Sequence, residues 1–548
     1  MDKVRGWRMA GPSAWACLGL WVATSLGGPA QAQDAGLAPS AAALPALSLP
    51  SALGIPGGQD SVLVKRFTFS GHRALSTAEL EALAAPFLNR PVRLVDLEEL
   101  RQRITRAYVD RGLVSSGAVI PEAALRDGEL HIRVIEGQVS QVHLKGMDRL
   151  SPAYIAGRLI KVGDTLDVKL LQERFRLLLA DPLFERINAR LIPDDLLGRS
   201  VVDLDVTRAR PWQLTAFAHN HQAPAVGSAV VGLDGVLRNL STWGDTLSGT
   251  LGHSRGGTTY DLGWTLPLGA SPTTLTARVA RSATSVVEEP LASLAIDSRV
   301  RTQEWTLAHP LLDNARLRLS LGLSHNERSN RTLIDGEPFS FVAGEASGVT
   351  RVRAWRFFQD LVLRNDRQVL ALRSTFVSGR NNLPAEPLLA EQPARDYRLW
   401  IGQGQGSMAL GDDGRQLVLR GQLQRARQHL VPLEQTSIGG RYTVRGYREN
   451  QLVRDNGWAL SLEYHHPLSW GDAAWQRVVL IPFVDAGSAH DRHAAAKRLS
   501  SAGVGLQWRG ADLEADLFHA RRLQSRTSDA HGDLQDHGIH VSLRWRLP

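Results

Sequence analysis

Two short stretches of this 548-residue chain hold residues that could act on one another at a distance. One is TVRGYREN (443–450), in which Arg445 stands between Val444 and the pair Gly446-Tyr447. The other is IPFVDAGS (481–488), about 40 residues later. In an extended strand Phe483, Asp485 and Gly487 share one face and Val484 takes the other. Asp485 then projects inward beside a glycine that leaves room for an approaching loop. An arginine and a carboxylate can join as a bidentate fork. On spacing alone, however, the plainer reading is an ordinary inward carboxylate and an exposed loop arginine.

Other candidates are weaker. HNH (219–221) offers two histidines on one strand face, a metal pair without a third ligand, and a solvated strand start is the simpler reading. His465/His466 and HDRH (490–493) read as rim or loop residues. GQGQG (402–406) lacks the Gly-Lys-Ser/Thr and the following helix of a phosphate loop. Its Gly402, Gly404 and Gly406 line one strand face where something packs closely. No ordered Ser-His-Asp set is visible, so no catalytic, cofactor-binding or metal residue is assigned.

The elements that must carry these residues divide the chain. Over 61–210 the pattern is mixed α/β. VLVKRFTFSG alternates as a strand, STAELEALAAPFL opens with a Ser/Thr cap signal, and LVDLEELRQRITRAYVDRG reads as a helix stopped by Gly112. FSGHRALS (69–76) realigns with LKGMDRLS (144–151), so that Gly71/Gly146, Leu75/Leu150 and Ser76/Ser151 all stand 75 positions apart. Two tandem β-α-α-β-β units follow from this, at 61–137 and 138–210.

From 211 to 548 helical periodicity gives way to alternation. In 315–324 Leu317, Leu319, Leu321 and Leu323 oppose Arg316, Arg318, Ser320, Gly322 and Ser324. The terminal GIHVSLRWRLP opposes Ile539, Val541, Leu543, Trp545 and Leu547 to His540, Ser542, Arg544 and Arg546. That length and period suit a transmembrane β-barrel of about 16 antiparallel strands of roughly ten residues each. TVRGYREN then falls in a long loop near 434–456.

Residues 1–32 read as a secretory signal, with Lys3, Arg5 and Arg8 before a short apolar core and Ala30 and Ala32 at the cleavage positions. Residues 33–60 form an Ala/Pro-rich linker in which Pro39, Pro45, Pro50 and Pro56 oppose a long helix. The single cysteine, Cys17, lies in the signal, which removes disulfides and zinc-thiolate sites from the mature chain. The net charge of +8 comes mainly from arginines scattered singly along alternating segments, which argues against a nucleic-acid partner.

The order of these features resembles the hemolysin secretion/activation family, the outer-membrane transporters (TpsB) of two-partner secretion. The family's Val-Arg-Gly-Tyr/Phe loop motif matches Val444-Arg445-Gly446-Tyr447, and its Phe-x-Asp-x-Gly strand motif matches Phe483, Asp485 and Gly487. WGDTLSGTLGHS, YDLGWTLPLG and GWALSLEYHHPL extend the likeness to roughly 60–548. The resemblance implies two periplasmic POTRA domains, at 61–137 and 138–210, before the barrel. It also implies a sixth extracellular loop folded into the lumen, with Arg445 locked to Asp485, Gly446 permitting the tight tip and Tyr447 packing it. The expected function is export of one large unfolded exoprotein, an adhesin or hemolysin, without nucleotide hydrolysis and without enzymatic activity. Its expected partners are that periplasmic exoprotein, outer-membrane lipids and the barrel-assembly machinery. A barrel-assembly insertase of the same superfamily and a passive porin are the alternatives; a barrel lipase is the weakest. Members of the family also carry an N-terminal plug helix, for which 33–60 is poorly composed.

Overall fold

The computed structural model describes residues 61–548 except 122–123, 195, 197, 270, 387–388, 390, 469–476 and 525–531. The expected signal and linker lie outside the described residues, as does the segment 33–60 judged poorly composed for a plug helix. Two compact units emerge, meeting in sequence at Ala209 and Arg210.

The first unit holds the tandem repeat. Its first half has a mixed sheet in which Glu129–Ile135 is central, parallel to Arg66–Ser70 and antiparallel to Gly117–Val119. Helices α1 (Thr77–Ala84) and α2 (Leu94–Asp110) connect the strands. In α2 the buried residues Leu97, Leu100, Ile104 and Tyr108 recur at three- and four-residue intervals, one helical stripe, in one core with Phe67, Leu130, Ile132 and Val134. The α1 terminus is fixed by a capping box between Ser76 and Glu79. The Ser76 backbone N–H, then Arg111 and the Ser76 hydroxyl, hold the Glu79 carboxyl down at about 2. That cap contributes stability above the ordinary glutamate value and loses it as pH falls toward 2.

The second half repeats the plan with Gln138–Lys145, α3 (Pro152–Ala156), α4 (Val168–Leu179), Phe184–Pro193 and Arg199–Arg208. The last strand is again central and parallel to the first. The aligned glycines show why the repeat is exact at that point. Gly71 and Gly146 have φ of +79° and +72°, and a Cβ on either would sit 2.2 Å from the Val134 carbonyl oxygen or 2.0 Å from that of Val206. Each first strand thus turns away directly against its own central strand. Gly146→Ala should combine left-handed strain with a backbone clash and cost about 2–4 kcal/mol. A urea melt of residues 61–209 followed by tryptophan-free far-UV dichroism checks this, with an unchanged midpoint counting against it.

One expectation needs correcting. VLVKRFTFSG is not a single strand. Val62–Leu63 pairs with Pro91–Val92, whereas Arg66–Ser70 pairs with Glu129–Ile135. Val64 is buried between the two pieces, its carbonyl accepting from Asn89 N at 2.9 Å, so the ladder changes partner there.

The second unit is a closed antiparallel barrel of sixteen strands, from Trp212–His219 to Ile539–Arg546, with a two-residue strand, Glu337–Pro338, added beside the seventh. Its alternation is inverted relative to a water-soluble barrel. Val484 is 50% exposed while Asp485 beside it is 3% exposed, and Trp305, Leu307, Leu323, Leu543 and Trp545 likewise face outward. Thr306, Ser324 and His540 face in and are buried. Aliphatic and indole groups outside with hydroxyl and charged groups inside match a barrel solvated by lipid. Among the described residues no helix is long and apolar enough to cross a membrane. Gly402, Gly404 and Gly406 belong to the outer face. What packs over them is lateral: the Trp400 ring and Leu372 Cδ2 lie 2.8 and 2.9 Å from where Cβ atoms on Gly402 and Gly404 would be.

Candidate functional site

The connection between Gln416–Ala426 and Asn456–Leu468 is long, and it turns back inside the barrel. Its stem is a short ladder of Thr436–Ile438 against Leu452–Arg454, which the sequence did not signal. Its tip, though a loop, contains some of the least accessible side chains in the molecule: Val444, Arg445 and Tyr447 are each 0–1% exposed.

The structure brings Arg445 and Asp485 together. Arg445 Nε donates to Asp485 Oδ2 at 2.7 Å and Nη2 donates to Oδ1 at 2.7 Å, a bidentate fork. The Arg445 backbone N–H adds a bond to Oδ2 at 3.0 Å. The plain reading of an exposed loop arginine is therefore replaced by a buried, fully engaged one. Two further acceptors complete it: Nη1 donates to Glu463 Oε1 at 2.7 Å and Nη2 to Ser461 Oγ at 2.8 Å. The guanidinium lies 3.4 Å from the Phe483 ring centroid, so the motif's phenylalanine supplies its apolar face. Glu463 also accepts from Arg420 at 2.7 Å and bonds His465 Nε2 at 2.8 Å.

The flanking motif residues act on shape. Gly446 has φ +90°, and its carbonyl accepts from Arg522. Tyr447 is buried, with its hydroxyl donating toward the carbonyls of Ser500 and Gln524 at 3.1 Å each. At Gly487 a Cβ would lie 2.8 Å from Ile438 Cγ2 and 2.9 Å from Val444 Cγ2. The wall is bare there because the loop occupies the space.

Sequence reasoning missed most of the partners. Ser461 and Glu463 stand opposite Asp485 and Phe483 in the register of the neighbouring strand, so alternation in SLEYH was the signal that could have found them. Glu434, 3% exposed at the loop's base, accepts from Arg356 Nη2 through both oxygens at 2.7 Å. Arg448 forks twice, onto Glu288 at 2.9 Å through both oxygens and onto Asp536. The loop is thus bonded to opposite sides of the wall.

The histidine readings change as well. His219 ends a strand instead of starting one, and its ring stacks between Phe217 and His221 at 5.4 and 4.9 Å. His221 meets Tyr442 of the loop edge-on, so these part-buried rings form part of the loop's bed. His465 is buried on the inner wall, not at the rim. His429, Asp455 and Asp491 come close enough to hold an ion. Their atoms are, however, already bonded to one another and to neighbours: Asp455 accepts from His429 Nδ1 at 2.7 Å, Leu430 N at 2.9 Å and Gln435 Nε2 at 3.1 Å, and Asp491 pairs with Arg454 at 3.1 Å. The cluster anchors the two ends of the loop.

The chain is matched by known proteins over both its α/β and its barrel segments. The family model described as haemolysin secretion/activation protein ShlB/FhaC/HecB covers residues 198–510, and that of the ShlB-type POTRA domain covers 62–137. This chain belongs to the haemolysin secretion/activation family. It is an outer-membrane transporter of the two-partner secretion type, with POTRA domains that are periplasmic in this family. The chain is 25% identical over 440 residues to the outer membrane transporter CdiB of Escherichia coli, covering 74% of this chain and 68% of that protein. It is 21% identical over 435 residues to CdiB of Dickeya dadantii, covering 76% and 73%. Among solved structures, CdiB from Escherichia coli superposes with a TM-score of 0.70 at 19% identity, covering 91% of this chain and 93% of that one. BamA from Haemophilus ducreyi lacking POTRA domains 1–3 shares the fold at a TM-score of 0.53 and 12% identity, covering 89% and 100%. Since the first barrel strand leaves the periplasmic side, the connection holding Arg445 is the sixth on the outer rim.

Proposed function

We propose that this transporter takes one large unfolded exoprotein from the periplasm, recognises it through the POTRA domains and conducts it through the barrel, with the Arg445–Asp485 fork holding the sixth loop in its working position. The observation that carries this reading is the fork itself. A bidentate, buried pair made by a loop against the wall costs desolvation, and such a pair fixes position more than it adds stability. The periplasmic POTRA units favour this reading over a passive pore, because a diffusion pore needs no chain-binding module.

Recognition of an extended chain is supported by the second POTRA domain. Gln138–Lys145 and Phe184–Pro193 are sheet edges, and a groove beside α4 is lined by Leu159, Ile160, Asp164, Leu170 and Arg174. Edge pairing with side-chain pockets suits an unfolded substrate. No nucleotide need be spent if folding of the exported protein outside draws the chain forward. Outer-membrane lipids solvate the outward Leu, Val and Trp side chains, and insertion of the barrel falls to the barrel-assembly machinery.

A photo-crosslinking amino acid placed at Leu170, and separately at lumenal Gln422, tests the route during export of a partner exoprotein. Adducts to the partner at both positions are expected. Export without an adduct at Gln422 excludes passage through this lumen.

A further inference from the structure

The barrel closes on a short seam. Trp212–His219 pairs with Ile539–Arg546 only from Thr215↔Arg546 to His219↔Ser542, the shortest pairing among the sixteen strands in the described residues. The strand ends at His219, and beyond it one backbone bond and a side chain continue the pairing. Asn220, 3% exposed, accepts from Val541 N at 2.8 Å through Oδ1 and donates to Ile539 O at 2.9 Å through Nδ2. Its own backbone N–H donates to Val541 O at 3.2 Å. An amide side chain can replace a residue of strand in this way because it carries both a donor and an acceptor.

One residue then joins that extension to the sixth loop. Gln535 is 0% exposed, in the connection before the last strand. Its Nε2 donates to Asn220 O at 2.6 Å and to Gln222 O at 2.7 Å, both beyond the first strand. Its Oε1 accepts from Glu449 N at 2.8 Å, four residues past Arg445. The neighbours reinforce both attachments: Arg448 forks onto Asp536, and Ser228 bonds Asp533. Arg522 bonds the carbonyls of Gly446 and Asp536, with the latter at 3.1 Å. The amide is thus bonded to the first strand's extension on one side and to the loop on the other.

We propose that Gln535 is a positioning residue that couples docking of the sixth loop to closure of the seam between the first and last strands. The inference rests on the reading of that loop as locked by Arg445. Two donors and an acceptor are needed together at this point, and a carboxylate at the same position keeps the acceptor but loses both donors. Withdrawal of the loop tip removes the Glu449 bond and the Arg448 fork, which leaves the outer end of the seam held by fewer partners.

The test uses the full chain in detergent or liposomes without any exoprotein. Amide hydrogen exchange is read at 213–219 and 540–545 in the parent, in Gln535→Glu and in Arg445→Ala, each first shown to keep heat-modifiable barrel mobility. Each variant should exchange about tenfold faster at the seam, with far smaller changes at 368–381 on the opposite wall. The double variant should be no faster than the faster single variant, because both act through one connection. Seam exchange at the parental rate in either single variant overturns the coupling. Should Gln535→Glu fail to assemble, Arg445→Ala with Gln535 intact decides alone. Failure of the lock reading shows itself separately, as normal export by Arg445→Ala.

Discussion

Arg445→Ala is expected to reduce export of the partner exoprotein at least about tenfold while the barrel still assembles, the change being larger than for any exposed charge. The reason lies in what the substitution leaves behind. Asp485 loses three of its bonds at once, the two fork bonds and, as the loop leaves, the bond from the Arg445 backbone. While the loop stays docked, the carboxylate is buried without its cation. Removing one partner of a buried pair typically costs about 3–5 kcal/mol, more than the few apolar contacts of a loop tip can hold. Glu463 fares better, because Arg420 and His465 remain bonded to it. Asp485→Ala should therefore act in the same direction with a smaller effect on loop position, since Arg445 keeps Glu463 and Ser461. Arg445→Lys should lie nearer alanine than arginine, because an ammonium cannot serve Asp485, Glu463 and Ser461 from a single plane. Exoprotein in the medium, measured beside heat-modifiable barrel in the outer membrane, provides the readout. Near-parental export by both Arg445→Ala and Asp485→Ala excludes the lock.

How much of this could be read in the chain depends on the range of each interaction. The tandem repeat was legible because Gly71 and Gly146 answer a local demand, a positive φ against a backbone carbonyl, and local demands leave residue-specific marks. Alternation told which side chains face inward, so Asp485 and the gap at Gly487 could be placed on the inner face from FVDAG alone. Alternation carries no information about position around the circumference. Glu434 and Arg356 meet from 78 residues apart, and Arg448 and Glu288 from 160, with nothing in either neighbourhood naming the other. The histidines were misjudged for the same reason. HNH looks like a solvated strand start until Tyr442, more than two hundred residues later, is laid upon it. Arg445 itself was assigned to Asp485 through family likeness, since a loop folded into a lumen leaves no periodicity to read.

Gly487→Val should displace the same loop with every charge intact. The strand Arg477–His490 can accept a side chain at this position as far as its own backbone is concerned, since Gly487 does not have a positive φ. The chief obstacle is the loop, whose Ile438 Cγ2 and Val444 Cγ2 lie 2.8 and 2.9 Å from the Cβ position, while the Trp458 carbonyl of the neighbouring strand lies at 3.0 Å. A Cβ needs a shift of some tenths of an ångström, whereas the two further methyl groups of valine must enter space that the loop fills. Overpacking of this kind costs about 1–3 kcal/mol and is relieved most cheaply by the element that is not hydrogen-bonded into the sheet. That element is the loop tip. Gly487→Val should thus lower export and open Arg441, Arg445 and Arg448 to trypsin added outside whole cells, with Gly487→Ala showing a smaller effect. Val444→Ala should partly restore export to Gly487→Ala by clearing one of the two blocking methyls. The steric and electrostatic variants reach the loop by independent routes. If Gly487→Val exposes the tip to trypsin yet exports normally, docking is dispensable, and any defect of Arg445→Ala must come from the stranded charge of Asp485 in the lumen.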